Sequence, residues 1–150
     1  PGVEIEDLSF GPIAVVQRFE DRPDHYSRVV LVAAAVRHRA PGGIYCYRWD
    51  GCLPGPEEIQ GRVGEAIMGV IDLDNLLIVG GHFGIWPREV VVIEVEPCDV
   101  EWGAAFSPVV QAAMPALLTT TRALALGPLT ALSSSPQDRA PSLAGVEGER

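Results

Sequence analysis

Three polar side chains are the main candidates for chemistry, because each follows one of two continuous, β-branched apolar runs. His38 comes just after residues 28–36, and Glu96 and Asp99 come just after residues 90–95. Histidine often serves in binding sites, and imidazole and carboxylate groups are reasonable ligands for a divalent metal. Glu96 is the strongest candidate, since an acid that closes a buried strand is unfavourable unless it has a partner. Two structural alternatives stay open: Glu96 bonds to a loop, and His38 lies in a solvated turn.

The other polar residues have mainly structural interpretations. His25 follows an acidic connector and is expected in a solvated loop, whereas His82 near a helix C-terminus is expected to cap or pack. Asp72 and Asp74 most simply cap the helix that begins there. Residues 37–39, Arg-His-Arg, form a small basic island on an acidic chain. This island is either a solvated turn or a contact for a carboxylate or an acidic partner.

Composition limits the classes of function. A chain of 150 residues with 47% hydrophobic residues predicts a single folded domain. The net charge of −9 argues against a nucleic-acid surface and an anionic membrane surface, since both need clustered cations. We identify no apolar run that approaches the roughly 20 residues of a membrane span. The irregular spacing of Cys46, Cys52 and Cys98 predicts ordinary reduced thiols in a cytoplasmic protein.

Strand and helix patterns alternate along the chain and must position these side chains. The apolar runs have the length and β-branched content of strands buried on both faces. The predicted fold is therefore an α/β three-layer sandwich with a mostly parallel sheet and an antiparallel edge strand, over residues 1–128, followed by a disordered tail at 129–150. In such sheets the site lies at the carboxyl ends of the strands. The predicted strands are a short strand at 3–5, strands at 28–36 and 89–95, and an edge strand at 43–49. The predicted helices are at 12–19, capped by Ser9, at 57–68, at 72–83, and from Pro108 toward 124–126. In the last helix, Ser107 is the predicted cap, Pro115 a bend and Gly127 the end.

Three stretches, in this order, carry a family resemblance. They are residues 29–48, residues 69–95, and residues 96–108, which have the pattern E-P-x-D-V-x-x-G-x-x-x-S-P. Together they resemble the hydrogenase maturation proteases, the small α/β endopeptidases that trim the C-terminal tail of the nickel–iron hydrogenase large subunit. The resemblance covers roughly residues 3–125, which is most of the chain.

The resemblance implies a nickel ion, but this sequence departs from the family at each ligand. The family holds the ion with an acidic residue of an N-terminal segment, an Asp after a central strand and a His before a helix. The segment, G-x-G-N followed by D-D-G, is not found here, and the other two positions fall on Ala34 and Gly69. Since neither side chain can bind a metal, the sequence predicts no intact catalytic residue and no cofactor. His38, Glu96 and Asp99 remain as weak candidates.

Two functions therefore stay open. One is removal of the large-subunit tail by a maturation protease-like protein, and the other is a non-catalytic or truncated member that binds during hydrogenase assembly. Both imply a hydrogenase large-subunit precursor as the partner, and neither involves nucleic acid or a membrane. Without the family's N-terminal strand and helix, residues 28–36 or a neighbouring strand would lack a partner. An open apolar edge of this kind predicts that the chain either self-associates through that edge or is unstable alone.

Overall fold

The computed structural model describes residues 2–101, 105–129 and 132. Within these ranges the chain has a mixed α/β fold with a small sheet of three strands and four helices. The predicted tail at 129–150 lies almost wholly outside the described residues, so that boundary stays a prediction. The elements are α1 (Pro12–Glu20), β1 (Arg28–Ala34), β2 (Ile44–Arg48), α2 (Pro56–Ile67), α3 (Leu73–His82), β3 (Glu89–Val95) and α4 (Pro108–Leu126).

The strands form one sheet in the order β1-β3-β2. β1 runs parallel to β3, with Arg28 opposite Glu89. β2 runs antiparallel to β3, with Ile44 opposite Val95. The predicted antiparallel edge strand is therefore confirmed. The expectation of a mostly parallel sheet is wrong for the described residues, because their one parallel pairing is matched by one antiparallel pairing.

Only the central strand is buried on both faces. In β3, Val91, Val92 and Ile93 have no exposed surface, as their continuous apolar run predicts. The same prediction is wrong for β1, where Val32 is 46% exposed. The two runs look alike in sequence, but β1 pairs with a strand on one side only. The burial of an apolar strand thus depends on its place in the sheet.

Helices pack on each face of the sheet, but unequally. On one face Leu77 of α3 belongs to the same cluster of buried side chains as Val92. On the other face Leu117 of α4 packs with Ile93. Full burial of such a side chain contributes about 1.5–3 kcal/mol. Leu117 is the one buried residue of α4 within the described part of the helix, so a complete three-layer sandwich stays a prediction.

Two glycines let aromatic rings approach α3 closely. A Cβ atom at Gly80 would lie 2.5 Å from the Trp86 ring, and one at Gly81 would lie 2.6 Å from the Trp49 ring. The Trp86 indole N–H donates to the carbonyl of Leu77 at 3.2 Å, which fixes that ring against the helix. The glycines therefore lower the helix propensity of α3 but allow both rings to join its core.

The first residues differ from their predicted structure. Residues 3–5 form no strand, and Ile5 is 95% exposed. Ser9 does not cap α1, because Gly11 occupies the N-cap position. The backbone N–H of Ser9 donates to the carboxylate of Asp7, a local bond before the helix begins. By contrast, the predicted cap of α3 is confirmed, since the carboxylate of Asp72 accepts from the third residue after it.

Helix α4 ends as predicted, with Gly127 at its C-cap, and continues through Pro115. Ser107 occupies its N-cap position without a capping hydrogen bond from its side chain. At 19 residues, α4 is long and apolar enough to cross a membrane by length and composition alone. The expectation that no apolar run approaches such a length is therefore wrong. A single helix of this kind is weak evidence for a membrane span, since helices of soluble proteins pass the same test.

Candidate functional site

The polar side chains gather where β1 and β3 end. The N–H of Ala35 donates to the carbonyl of Val95 at 3.1 Å, which keeps the two strand ends together. Residues 37–39 then turn beside the last residues of β3, and the side chains of Glu94 and Glu96 meet them there. This is the carboxyl edge of the parallel pair, the place where α/β sheets bind ligands.

The carboxylate of Glu96 holds the turn after β1. Glu96 is 3% exposed, and its two oxygens each accept from the N–H of Arg37 at 3.0 Å. One oxygen also accepts from the N–H of His38 at 3.1 Å. His38 has a φ of 59°, in the left-handed region that residues other than glycine seldom adopt. Glu96 therefore makes the structural hydrogen bond to a loop that the sequence left open as an alternative.

Glu94 is the centre of an ion-pair network. It is 3% exposed and accepts from Arg37 at 2.9 Å, from the Tyr47 hydroxyl at 3.1 Å, and from Arg39. Burial acts to raise the pKa of Glu94, but the hydrogen bonds from Arg37, Arg39 and Tyr47, with the charge of Arg37, outweigh it and hold the pKa below its usual value. Glu94 is therefore a carboxylate at neutral pH.

Arg37 links this network to helix α3. Its guanidinium donates to both oxygens of Asp74, at 2.7 and 2.8 Å, in a bidentate pair. The Asp74 hydrogen bonds raise the pKa of Arg37 above its ordinary value, and the bonds to Glu94 add to this, so it stays charged. Asp74 was expected to cap α3, yet it binds this guanidinium and so fixes the first turn of α3 beside the end of β1.

Arg39 closes the network on its other side. Its guanidinium bonds to Glu94 and approaches an oxygen of Glu96 at 3.4 Å. The same group lies 3.6 Å from the centre of the Tyr45 ring, a cation–π contact. Of the two alternatives for the basic island, both arginines make the contact with a carboxylate, and the carboxylates come from the chain itself.

The structure brings together two of the three candidate residues. His38 is exposed in the turn, and its backbone N–H binds Glu96. Asp99 is also exposed, four residues beyond Val95 at the end of β3. Whether any of them acts on a substrate stays a prediction. Of the remaining histidines, His25 bonds to Glu4 at 3.0 Å, and the His82 ring packs on Phe83 at a centroid distance of 5.2 Å.

The residues at this edge do not fit a nickel ion. Ala34 and Gly69 are exposed and have no donor atom in their side chains. The carboxylates of Glu94, Glu96 and Asp74 accept from arginines, whose positive charges oppose a cation at the same place. Within the described ranges, no three His, Cys, Asp or Glu side chains come together as a metal site.

The cysteines are free thiols in the described part of the chain. Cys46 of β2 is half-buried, and burial raises the pKa of its thiol. Cys52 is exposed, and the charge of Asp50 raises the pKa of its thiol. Since the thiolate is the reactive form, neither environment activates a nucleophile.

Sequence reasoning missed Glu94. The sequence feature that could have identified it is a single acid inside an otherwise apolar strand, V-V-V-I-E-V. A buried acid is unfavourable without a partner. Two arginines follow the other apolar run, and the parallel pairing of the two strands brings them to Glu94. Glu94 lies 55–57 residues from these two arginines in the sequence, so sequence spacing alone could not reveal the contacts.

No family model and no curated protein matches the chain. Among solved structures, it is similar to the hydrogenase 2 maturation peptidase from a Thaumarchaeota archaeon, at 20% identity and a TM-score of 0.42, over 76% of this chain and 87% of that chain. It is also similar to the hydrogenase maturating endopeptidase HybD from E. coli, at 19% identity and a TM-score of 0.42, over 75% and 80% of the two chains. This likeness is too distant to carry an argument about activity. Both of these solved structures are maturation peptidases of hydrogenases.

Proposed function

We propose that this chain is a hydrogenase maturation protease-like protein, which acts in the cytoplasm on the C-terminal tail of a hydrogenase large-subunit precursor. The sequence support is the order of its three family-like stretches. The structural observation that carries the proposal is the network of Glu94, Glu96 and residues 37–39 at the carboxyl edge of β1 and β3. A buried, charged constellation at this edge is typical of a functional site.

We propose binding of the precursor without cleavage as a second candidate. Every carboxylate of the network accepts from an arginine, and the positions of the family's ligands carry Ala34 and Gly69. Peptide hydrolysis needs an activated water or nucleophile, and no such group stands out at this edge among the described residues. Exposed His38, held in a strained turn, would then contact the tail rather than act on it.

One experiment tests both candidates. A large-subunit precursor with its tail is incubated with the chain, with and without added nickel, and intact mass and binding are measured together. Loss of the tail, absent from a control with no added chain, supports cleavage. Binding without a change in mass supports the second candidate. No binding and no cleavage would reject the assignment to hydrogenase maturation.

A pair of variants tests whether the carboxyl edge is the binding surface. We expect His38→Ala to weaken precursor binding roughly three- to tenfold, the effect of losing one good polar contact. His82→Ala is the matched control, because this histidine is also exposed but lies at the end of α3. Equal binding by the two variants would place the surface elsewhere.

A further inference from the structure

The connector between α1 and β1 binds an acidic segment of the chain itself. Within the otherwise irregular residues 2–8, Glu4 receives three donors from one short stretch. Its carboxylate accepts from the Tyr26 hydroxyl at 2.7 Å and from Arg22 at 3.2 Å, and it lies 3.0 Å from the ring nitrogen of His25. Hydrogen bonds from Tyr26, and then from His25, lower the pKa of Glu4 to about 2.

A second acid of the same segment binds the end of α1. Glu6 pairs with the guanidinium of Arg18 at 2.5 Å. Glu4 and Glu6 are two residues apart, a spacing that puts both carboxylates on one side of an extended chain. Arg18 lies in the last turn of α1 and Arg22 lies in the connector just after it, and each guanidinium pairs with one of these two acids. Ile5, between the two acids, points away and is almost fully exposed.

The donors are also held by contacts within the connector and with α1. The N–H of His25 donates to the carbonyl of Arg22 at 3.2 Å, and Asp24 has a φ of 58°, so the chain makes a tight turn here. The Tyr26 ring packs on His25 and on Phe19, at centroid distances of 4.6 and 5.4 Å. A fixed set of convergent donors reduces the entropy lost when a carboxylate binds.

The ion pairs of this segment are exposed, with side-chain exposures of 22–46%. Such pairs contribute little each and are screened by salt. Residues 3–7 are thus retained largely by the short connection to α1, which keeps their effective concentration high. A segment held in this way can be exchanged for another of the same chemistry.

The surroundings offer space for apolar side chains beside the bound acid. A cleft of about 310 Å³ shares Arg22, His25 and Tyr26 with the carboxylate contacts. Its lining also includes the apolar rings of Phe19 and Trp86 and the acids Glu20 and Asp24, which disfavour a further carboxylate inside the cleft itself. Residues 3–7 include no side chain among those lining the cleft. It therefore offers room for a bulkier residue beside the bound carboxylate.

We propose that Arg18, Arg22, His25 and Tyr26 form a receptor for an extended acidic peptide of the form Glu-x-Glu, which residues 3–7 occupy as a displaceable internal ligand. The receptor lies at the N-terminal end of β1, away from the network of Glu94. The proposal is independent of the function in hydrogenase maturation. The partner is a protein segment with two acids spaced by one residue.

The test uses the whole chain and a labelled peptide with the sequence of residues 2–9. The site is vacated by Glu4→Gln together with Glu6→Gln, and peptide binding is followed by fluorescence anisotropy. We expect the vacated chain to bind roughly tenfold more tightly than the wild type, in which the internal segment competes. A peptide with Gln at the positions of Glu4 and Glu6 should not bind, and about 1 M NaCl should abolish binding.

Two further substitutions in the vacated chain separate this receptor from general charge attraction. Arg18→Gln should weaken peptide binding several-fold. Arg62→Gln is the matched control, because Arg62 makes exposed pairs with Glu58 and Glu65 on α2. Equal affinity of the vacated and wild-type chains, or equal losses for the two arginine variants, would overturn the proposal.

If the vacated chain does not fold, hydrogen exchange on the wild-type chain tests the proposal instead. Excess acidic peptide should speed amide exchange at residues 3–7 and leave α2 unchanged. No change at residues 3–7 under saturating peptide would reject an exchangeable internal ligand.

Discussion

Glu94 is the residue on which the ion-pair network depends. It joins Arg37 and Arg39, while Arg37 in turn holds Asp74 and so the start of α3. Buried ion pairs are not in themselves strong stabilisers, because desolvation offsets their attraction. Removing one member is different, since it leaves the opposite charges in a poorly solvated place without compensation.

We therefore expect Glu94→Gln to lower the free energy of unfolding by about 3 kcal/mol. Glu65→Gln is the matched control, because that glutamate pairs with Arg62 on the surface of α2 and should contribute less than about 1 kcal/mol. Urea denaturation of both variants at neutral pH measures the difference. If Glu94→Gln lowers the free energy of unfolding as little as the control does, solvent or Asp74 must compensate the positive charges of Arg37 and Arg39.

Acid should weaken the same network. The pKa of Glu94 is lower in the folded chain than in an unfolded one. At a pH between these two pKa values unfolding takes up a proton, so the free energy of unfolding rises with pH. The stabilisation is complete above the usual glutamate pKa of about 4.3 and is lost as the pH falls through the lower folded value. The urea midpoint of the wild type should therefore fall below about pH 4.5 more steeply than that of Glu94→Gln. Parallel curves would remove Glu94 from the acid response.

At the scale of elements, α3 shows how backbone and ring packing combine. Gly80 and Gly81 lie in its last turns, where Trp86 and Trp49 close on the helix. Ordinarily an alanine would stabilise a helix interior by about 1 kcal/mol relative to glycine. Here the methyl group has no room, because the ring that it would meet is fixed by its bond to Leu77.

We expect Gly80→Ala to destabilise the chain by about 1–3 kcal/mol, the usual loss for an overpacked core. Gly64→Ala in α2 is the matched control, since nothing lies within 4 Å of the added methyl group, and it should stabilise by about 1 kcal/mol. Thermal unfolding followed by circular dichroism shows whether each substitution raises or lowers the stability of the chain. Two changes of the same sign would show that Trp86 moves aside without loss.

The elements that the sequence predicted well are those with local signals. Apolar spacing and a capping aspartate located α3, and the antiparallel strand and central strand were predicted within two residues of their bounds. The strand at 3–5 was predicted from three apolar or acidic residues, whereas Glu4 and Glu6 bind arginines instead of a neighbouring strand. The contacts of Glu94 and the exposure of Val32 could not be predicted from local sequence. The pairing of distant strands decides which side chains meet and which edge of the sheet stays open.

At the scale of the whole molecule, the sheet has two outer strands. Within the described residues, no strand pairs with the outer side of β1, and Val32 on this strand is half-exposed. No charged side chain interrupts residues 29–36. Proteins usually protect such edges with lysine, proline or a bulge, because unpaired backbone groups beside apolar side chains attract another strand.

We therefore expect the chain to associate through β1 between about 1 μM and 1 mM, the range in which exposed strand edges lead to association. Sedimentation velocity should show a mass that rises with concentration, and Val32→Lys should shift it toward the monomer by placing like charges at the contact. Ile67→Lys is the control, because Ile67 is a more exposed apolar residue at the end of α2, away from the sheet edge. A constant monomeric mass, with one cooperative unfolding transition at every concentration, would show that other parts of the chain protect β1.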